Sequence, residues 1–382
     1  MPAPAAPPST WKGLHRAAAF QGAATAVLLL VGAYQGVMAI ASAPAQQRLR
    51  PTLNLSSFLA GRTTAAVNYV MAHQLPADPL LRASGGVFRY ALFGSGGPQV
   101  RIGCDETMFL TEELRPWPNA DVAMAERAEG VRRVQAALAA RNIALAVAVV
   151  PDKARVAADK LCGVPHSAQA AARYDAFLAA LRARGIEPIA LLPALSAQQR
   201  QPGGAFYRTD THWNQAGARA AAQAIAQAVQ NRDLTRGEEF RTTAAAEETD
   251  GPGDLLRITS LDHVPNAVRP DPDRERKETT AAPEGGDSGG GSLLDETPSP
   301  EVALIGSSYS VNANFHGALQ EALRSTVFNG ATAGGGFAGA AATYFSGETY
   351  RESPPRLIIW EIPERVVPQP LTEAERAFIA RW

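Results

Sequence analysis

The sequence predicts an α/β fold with a mostly parallel sheet, preceded by an apolar N-terminal transmembrane or signal helix. Three observations support this prediction. Residues 143–150 form a continuous apolar run that ends at Pro151, which is typical of a strand buried on both faces. A segment of helical periodicity and another apolar run follow after short connections, and this strand–helix–strand order indicates a parallel sheet with helices on both faces. Residues 17–43 are nearly uncharged.

The composition is that of a globular protein. The chain has 382 residues, of which 46% are hydrophobic, so it can form one large domain or two ordinary ones. A formal net charge of −1 argues against the basic surface of a nucleic-acid-binding protein. The glycine run 285–291 has no following Gly-Lys-Ser/Thr and is therefore not a phosphate loop. We expect no cofactor and no metal.

The apolar segment 17–43 predicts export of the rest of the chain. It is longer than the ~20 residues that span a bilayer and long for a signal peptide, which favours an uncleaved signal anchor. Ala41-Ser42-Ala43 resembles a cleavage site, so a cleaved signal peptide stays open as the alternative. Both outcomes place the remaining residues outside the cytoplasm.

Three regions are predicted along the chain. Residues 1–50 hold a cytoplasmic tip and the signal anchor, 51–87 a helical lead-in or stalk, and 88–382 the α/β domain. Within that domain, residues 265–300 are rich in charge and glycine, so we expect a disordered surface insertion. Residues 75–97 hold two prolines and several glycines and are predicted to form turns.

Apolar periodicity predicts the individual elements. Helices are expected where apolar residues recur at helical spacing behind a capping residue, as after Ser167, Asn214 and Thr372. Short apolar runs between turn residues are expected to be strands. The predicted strands are 108–110, 143–150, 188–192, 302–305, 326–328 and 357–360, and the predicted helices include 56–73, one around 131–138, 167–185, 214–230 and 312–323.

A candidate nucleophile follows the apolar run 302–305. There a glycine and a hydroxyl-rich turn, Ser307-Ser308-Tyr309-Ser310, lead into a predicted helix. A serine at a strand-to-helix turn faces the positive end of the helix, where backbone N–H groups can hold an oxyanion. Ser308 is the candidate. The alternative is that these serines only cap the helix.

A serine nucleophile needs a base, and the base needs an orienting carboxylate. Of the six histidines, His212 has the best-placed neighbour, since Asp210 lies two positions before it. In an extended segment these two side chains share one face. Asp210 could accept from Nδ1 and leave Nε2 free for a hydroxyl group. The alternative is a turn that carries a surface histidine.

These motifs resemble the alginate O-acetyltransferase family of AlgJ/AlgX type. In that SGNH-hydrolase-like family, an Asp-x-His motif precedes the serine motif, as Asp210-Thr211-His212-Trp213 precedes Gly306-Ser307-Ser308-Tyr309-Ser310 here. Pro151-Asp152-Lys153, Gly253-Asp254-Leu255 and residues 360–365 also match, and the resemblance extends from about residue 88 to 365. It implies a three-layer SGNH-like domain in which Ser308 is the nucleophile, His212 the general base and Asp210 its orienter.

The resemblance also implies a function. The chain would be a periplasmic, inner-membrane-anchored enzyme that transfers acetyl through an acetyl-serine to hydroxyls of alginate or a similar exopolysaccharide. Its partners would be the polysaccharide acceptor, a multispanning membrane acyltransferase that supplies acetyl, and other secretion proteins. A carbohydrate acetylesterase and a noncatalytic glycan-binding component of a secretion complex are the alternatives.

Several further residues are candidates for lesser roles. The oxyanion would be held by the Ser308 N–H and by a backbone N–H near Gly330 or Gly334. Trp213 could stack on a sugar or simply pack beside the loop, and Tyr309 could shape the pocket or fill space.

Five charged or sulfur-containing residues complete the set of candidates. Lys153 could neutralise a uronate or contact the acyl donor, although such a lysine is often solvated. Glu361 and Arg365 are expected to form a structural ion pair. In an exported chain Cys104 and Cys162 could form one disulfide, whereas in a cytosolic chain they would be unrelated thiols.

Overall fold

The computed structural model describes residues 10–282 and 299–382, with side chains described from residue 16 onward. The described residues form two compact units, one ending at Gly85 and the other beginning at Gly86.

The first unit consists of helices. The segment Arg16–Ala41 has a mean hydropathy of 1.8, and by length and composition it can cross a membrane, a test that a signal sequence also meets. The predicted apolar N-terminal helix is thereby confirmed. The helices are α1 (Thr10–Ala41), α2 (Ala43–Leu49), α3 (Leu55–Leu59), α4 (Arg62–His73) and α5 (Asp78–Phe93), which continues into the second unit.

The second unit is built on a five-stranded parallel sheet. The strand order is β10-β9-β11-β3-β4, and each neighbouring pair is parallel, which confirms the predicted sheet. The strands are β1 (Val100–Ile102), β2 (Met108–Leu110), β3 (Ala144–Val150), β4 (Ile189–Ala190), β5 (Arg241–Ala244), β6 (Thr249–Asp250), β7 (Arg274–Glu275), β8 (Glu278–Ala281), β9 (Val302–Ile305), β10 (Val327–Asn329) and β11 (Leu357–Pro363).

Helices cover both faces of this sheet and make it the middle of three layers. Alternate residues of β3 point into two separate apolar clusters, Val147 and Val149 into one and Ala148 and Val150 into the other. The helices are α6 (Thr111–Leu114), α7 (Ala120–Ala139), α8 (Lys153–Val156), α9 (Ala168–Arg182), α10 (Leu192–Gln199), α11 (Gln215–Ala228), α12 (Asp254–Ile258), α13 (Ser308–Val311), α14 (Phe315–Leu323), α15 (Gly339–Ser346), α16 (Glu348–Glu352) and α17 (Glu373–Ala380).

The two apolar clusters contain different helices. The first cluster holds side chains of α7, α9, α15, α16 and α17, and the second holds side chains of α8, α10, α11 and α14. The register pairs Trp360 with Ile305 and Pro363 with Val150, so the carboxyl ends of β9, β11 and β3 lie at one edge. Loops at this edge of a parallel sheet are the usual position of functional side chains.

Two predictions of local structure are wrong, namely the turns at 75–97 and the start of the helix at 312–323. Residues 78–93 form a helix rather than turns, and Gly86 allows close packing, since a Cβ there would lie 2.5 Å from the carbonyl oxygen of Thr259. The helix predicted over 312–323 begins at Phe315, because Ala313 and Asn314 both have a φ of 54°.

The predicted disorder of residues 265–300 is wrong for the part that the structure describes. Strand β7 pairs with β6, and β8 pairs with β5, both antiparallel. These strands are largely exposed and polar. Backbone hydrogen bonds rather than apolar burial hold them together, so the low hydrophobicity of the segment does not exclude strands. Residues 283–298 of the predicted insertion lie outside the described residues.

The structure joins Cys104 and Cys162 as a disulfide pair, with their Cα atoms 5.5 Å apart. This separation is typical of disulfides in proteins.

Candidate active site

Ser308 begins α13 and is the first residue after the turn that follows β9. The capping role falls on its neighbour, because the Ser307 side chain accepts from the Tyr309 N–H at 3.2 Å. Ser308 is half-buried, while Ser307, Tyr309 and Ser310 are buried. Its hydroxyl group is therefore free to face outward, and it lies 2.7 Å from Nε2 of His212.

The loop before α11 brings Asp210 and His212 to this hydroxyl. Nδ1 of His212 lies 2.6 Å from Oδ1 of Asp210, and the same oxygen accepts from the His212 backbone N–H at 2.9 Å. Both residues are buried. The structure thus brings together the three residues that the sequence singles out, in the order Ser308, His212, Asp210.

The pKa of Asp210 suits a residue that orients His212. Burial by itself would raise the pKa of this carboxyl group. Hydrogen bonds from His212 and from the Asp254 backbone N–H outweigh that effect and lower the pKa to about 2. An ionised Asp210 holds a proton on Nδ1 of His212, so Nε2 is the atom that can accept from a hydroxyl group.

Asp254 is a site residue that the sequence reasoning left without a role. Its backbone N–H, at the start of α12, donates to Oδ2 of Asp210 at 2.7 Å. Its carboxylate accepts from the Thr211 N–H at 2.7 Å and lies 3.6 Å from Nδ1 of His212. A separation of 44 residues leaves no local spacing that could have signalled this contact.

Asp210, His212 and Asp254 are also the group of described residues whose ligand atoms lie close enough to hold a metal ion, within 4.8 Å of one another. Both ring nitrogens of His212 already bond within the site, Nδ1 to Asp210 and Nε2 to Ser308. The arrangement is therefore suited to moving a proton between a hydroxyl group and an imidazole.

Glu361, on β11, supports the turn that carries Ser308. Its buried carboxylate accepts from the Ser307 N–H at 2.7 Å and from the hydroxyls of Ser307 and Ser310 at 2.9 and 3.0 Å. Burial raises the pKa of Glu361, and these hydrogen bonds oppose the rise. A Cβ on Gly306 would lie 2.6 Å from the same carboxylate and 2.5 Å from the Ser310 hydroxyl, so a larger residue there would displace them.

The ion pair predicted between Glu361 and Arg365 is wrong. Glu361 bonds the serine turn, whereas Arg365 donates to the Tyr309 hydroxyl at 3.1 Å and lies 3.7 Å from Glu112. Glu361 lies in β11 and Arg365 lies in the loop after it. Their side chains therefore contact different partners, although only four positions separate them in the sequence.

Ser308 and His212 open onto a cavity of about 460 Å³. Two guanidinium groups, Arg115 and Arg365, lie on its wall, and Arg115 stacks on the Trp117 ring with 3.8 Å to the centroid. No motif signals Arg115, because it lies on a loop distant in sequence from both catalytic candidates. The lining residues are Pro98, Gln99, Leu110, Thr111, Glu112, Arg115, Thr211, His212, Asp254, Ile258, Ser308 and Arg365.

The expected oxyanion donors are only partly present. The N–H of Ser308, as the first helical residue of α13, has no intrahelical acceptor. The suggestions of Gly330 and Gly334 are wrong. The Gly330 N–H donates to the Leu304 carbonyl at 2.8 Å, and Gly334 lines a different cavity beside Arg127. Sequence order alone does not indicate which way the loop after an edge strand turns.

Lys153 and Trp213 are buried beside the site rather than exposed in it. The Lys153 ammonium group donates to three backbone carbonyls, so the predicted contact with a uronate or an acyl donor is wrong. Trp213 is fully buried between Tyr309 and Phe315, with ring centroids 4.9 and 4.8 Å away, which excludes it as a sugar platform.

Tyr309 is a buried residue that contacts the histidine loop. It is 1% exposed, and its hydroxyl donates to the Thr211 carbonyl at 3.0 Å. Its ring also meets the His212 ring edge-on, with centroids 5.0 Å apart. Tyr309 thus connects the serine turn to the histidine loop.

Comparisons with known proteins point to one family. A family model described as an SGNH hydrolase-like domain, acetyltransferase AlgX, matches residues 100–364. A protein named probable alginate O-acetylase AlgJ from Pseudomonas aeruginosa is 34% identical over 332 residues, covering 82% of this chain and 84% of the relative. A protein of the same name from Azotobacter vinelandii is 34% identical over 298 residues, with coverages of 77% and 75%.

Solved structures show the same fold. The O-acetyltransferase domain of Pseudomonas putida AlgJ matches with a TM-score of 0.64 at 32% identity, over 74% of this chain and 98% of that domain. The structure of Pseudomonas aeruginosa AlgX has the same fold, with a TM-score of 0.54 at 21% identity over 74% of this chain and 65% of that one. The chain therefore belongs to the AlgJ/AlgX family and carries its SGNH hydrolase-like domain.

Proposed function

We propose that this protein is an O-acetyltransferase that moves an acetyl group through acetyl-Ser308 to a hydroxyl of alginate or a similar exopolysaccharide. One observation carries the proposal. An unbroken chain of hydrogen bonds runs from Ser308 Oγ through His212 to Asp210, with distances of 2.7 and 2.6 Å, at the wall of an open cavity. The relatives named probable alginate O-acetylases support the acyl group and the acceptor.

In the first half-reaction, Oγ of Ser308 attacks the carbonyl carbon of the acetyl donor while Nε2 of His212 takes the hydroxyl proton. The negative charge on the carbonyl oxygen faces the Ser308 N–H at the start of α13, and such a donor contributes on the order of 3 kcal/mol. The tetrahedral intermediate then loses the donor's leaving group, which receives the proton from His212. Acetyl-Ser308 remains, and His212 is neutral again.

In the second half-reaction, a sugar hydroxyl enters the cavity and gives its proton to Nε2 of His212 as its oxygen attacks the acetyl carbon. The bond to Oγ breaks, and Ser308 regains a proton from His212. Throughout, Asp210 accepts from Nδ1 and stabilises the imidazolium that forms in each half-reaction. Its low pKa keeps it ionised for this task.

The cavity wall supports an acidic sugar as the acceptor. Arg115 and Arg365 line the cavity that holds Ser308, together with Glu112 and Asp254. Arg365 lies 3.7 Å from Glu112, so Arg115 is the guanidinium group that is left for a sugar carboxylate. Guanidinium groups bind carboxylates through paired hydrogen bonds. A uronate polymer such as alginate supplies a carboxylate on each sugar ring that also carries the hydroxyls to be acetylated.

The same proposal includes a location and partners. The apolar helix α1 would serve as a signal anchor and hold the second unit on the periplasmic side of the inner membrane. A multispanning membrane acyltransferase would bring acetyl groups to the site, and other exopolysaccharide secretion proteins would bring the polymer. Similarity to proteins named alginate biosynthesis protein AlgX supports a setting of this kind.

The test uses the full chain in detergent with an activated acetyl ester and a deacetylated mannuronate oligosaccharide. Mass spectrometry of the oligosaccharide measures transfer, and free acetate measures hydrolysis. We expect transfer by the natural sequence and none by Ser308→Ala. Release of acetate without transfer to any of several glycans would indicate an esterase instead. Binding of the oligosaccharide without either reaction would indicate a noncatalytic glycan-binding component.

A further inference from the structure

Lys153 is a buried lysine that the proposed mechanism does not use. It follows β3 and begins the short helix α8, and only 1% of the residue is exposed. Its Nζ lies 5.3 Å from the centroid of the Phe109 ring. A buried charge is costly unless its N–H groups are hydrogen-bonded. The atoms that accept these bonds therefore indicate the role of the lysine.

The ammonium group of Lys153 donates to three backbone carbonyl oxygens. The acceptors are Met108 at 2.6 Å, Arg208 at 2.9 Å and Asp210 at 3.0 Å. An ammonium group has three N–H donors, so these bonds use all of them and leave none for a substrate. All three acceptors are main-chain atoms, which means that the contact fixes the path of the backbone.

Two of these carbonyls belong to the loop that carries the base and its orienter. The Met108 N–H also donates to the Arg208 carbonyl at 2.9 Å, so Lys153 lies where β2 and this loop meet. One of these two carbonyls is that of Asp210 itself. A rotation of that peptide would move the carboxylate that holds His212 Nδ1 at 2.6 Å.

The surroundings of Lys153 are acidic. Burial lowers the pKa of Lys153 to about 8, and the nearby carboxylates oppose the fall. A neutral amine has two N–H groups, so deprotonation would leave one of the three carbonyls without its donor. The carboxylates around the ammonium group are Asp273, Glu113, Asp210 and Asp254, and the cavity on its outer side also carries Asp105, Asp159, Lys160 and Arg208.

We propose that Lys153 is a positioning residue for acetyl transfer. Its three hydrogen bonds fix the backbone before His212 and so hold the Asp210–His212 pair in line with the Ser308 hydroxyl. This inference rests on the proposed function, since it requires Ser308 to act as a nucleophile. Lys153 itself touches neither the acetyl donor nor the sugar.

The first measurement is the rate at which a sulfonyl fluoride labels Ser308 in the full chain at pH 7, followed by mass spectrometry of the Ser308 peptide. We expect labelling of Lys153→Met to be slower by about 100-fold, because a small displacement of the base has an effect of this size. Lys153→Arg, which keeps the charge, should recover part of the rate. The control is Lys160→Met, which removes a more exposed lysine paired with Asp105 and should label at the natural rate.

The second measurement is the NMR signal of the His212 Nδ1 proton, which reports on its hydrogen bond to Asp210. We expect this signal to shift or disappear in Lys153→Met and to persist in Lys160→Met and Ser308→Ala. A role limited to stability would leave the signal in place wherever the Lys153→Met protein is folded.

The outcomes separate the two proposals. If the natural sequence is not labelled at Ser308, the proposed function fails, and the NMR signal alone decides whether Lys153 positions His212. If Lys153→Met labels at the natural rate with an unchanged His212 signal, the inference about Lys153 is overturned. Should Lys153→Met not fold, the natural sequence decides. Its His212 Nδ1 proton signal and labelling rate are compared with those of Lys153→Arg, whose branched donor group should shift the signal and slow the labelling, and natural values of both would overturn the inference.

Discussion

Asp210 and Glu361 support different residues around the Ser308 hydroxyl. Asp210 receives hydrogen bonds from His212 and from the Asp254 N–H, so it orients the proposed base. Glu361 receives them from the Ser307 N–H and from two serine hydroxyls, so it orients the turn that carries the proposed nucleophile. The alignment of the site therefore depends on two buried carboxylates that contact different loops.

Replacing Glu361 by Gln tests the second of these roles. An amide NH₂ group would face one of the donors that now point at the carboxylate, and the turn would have to shift. We expect kcat for cleavage of an activated acetyl ester to fall by about 10- to 100-fold while the protein stays folded. Steady-state kinetics measure the effect, with the exposed Glu352→Gln as the matched control. Equal kcat values in the two variants would contradict the positioning role.

The buried carboxyl group of Glu113 is expected to make the stability of the protein depend on pH. Burial raises the pKa of this carboxyl to about 7, against an ordinary value of 4.5, and the nearby cations oppose the rise. Between these two pH values the folded state keeps a proton that the unfolded state has released. The free energy of unfolding should therefore fall as the pH rises through this window, by at most about 1.4 kcal/mol per pH unit from this group.

Urea unfolding of the full chain at several pH values from 4.5 to 7 measures this slope. In Glu113→Gln the slope should become shallower, because an amide does not titrate. A slope identical to that of the natural sequence would show that Glu113 is already ionised when folded.

Among the elements, α11 fixes the loop that carries Asp210 and His212. Asn214 caps this helix by accepting from the Gly217 N–H at 2.9 Å, and its own N–H donates to the Ala205 carbonyl at 3.0 Å. The chain from Ala205 to Asn214 is thereby folded back against the first turn of the helix. A Cβ on Gly217 would lie 2.1 Å from the Ala205 carbonyl oxygen.

Gly217→Ala should therefore destabilise the protein although alanine favours helices. We expect the free energy of unfolding to fall by about 1–3 kcal/mol, the usual cost of overpacking. Gly339→Ala is the matched control, because Gly339 begins α15 and a Cβ there meets nothing within 4 Å. Urea unfolding of both variants measures the difference, and equal stabilities would refute the close packing.

The segment before β7 also contributes to the loop. The Asp273 carboxylate accepts from the Arg208 N–H at 2.8 Å and from the Thr209 N–H at 2.7 Å. Residues that look like a polar insertion in the sequence thus hold the backbone just before Asp210. Their polarity reflects this hydrogen bonding and the exposed position of β7 and β8.

At the scale of the whole molecule, parallel strand order explains why residues distant in sequence meet. The carboxyl ends of β3, β9 and β11 lie at one edge, and they deliver Lys153, Ser308 and Arg365 respectively. The loop of His212 joins them there through its bond to Ser308. The sheet thus positions the proposed nucleophile, the lysine that bonds the histidine loop and one cavity arginine, while the proposed base lies on a separately anchored loop.

The sheet could be predicted because its strands are buried on both faces and form continuous apolar runs, as 302–305 does. Asp210 and His212 could be found because one intervening residue puts two side chains on the same face of an extended segment. The fold family followed from the order of the two motifs. These signals are local, or depend on the order of two short motifs.

The remainder could not be predicted because it depends on contacts between distant segments. Asp254 and Arg115 join the site only after the chain has folded, and no spacing marks them. The charge of Lys153 predicts contact with substrate or with solvent, whereas its buried position gives it three backbone acceptors. The glycines of α5 predict turns, whereas in the structure Gly86 allows a close contact with the backbone of Thr259.

The most direct test of the central claim is detection of the acetylated serine itself. The full chain is mixed with an activated acetyl ester, quenched at short times and digested, and the peptide that contains Ser308 is sequenced by mass spectrometry. We expect one acetyl group on Ser308 in the natural sequence, its loss when mannuronate oligosaccharide is added, and none in His212→Gln. Transfer of acetyl to the oligosaccharide without any acetyl on Ser308 would contradict the account.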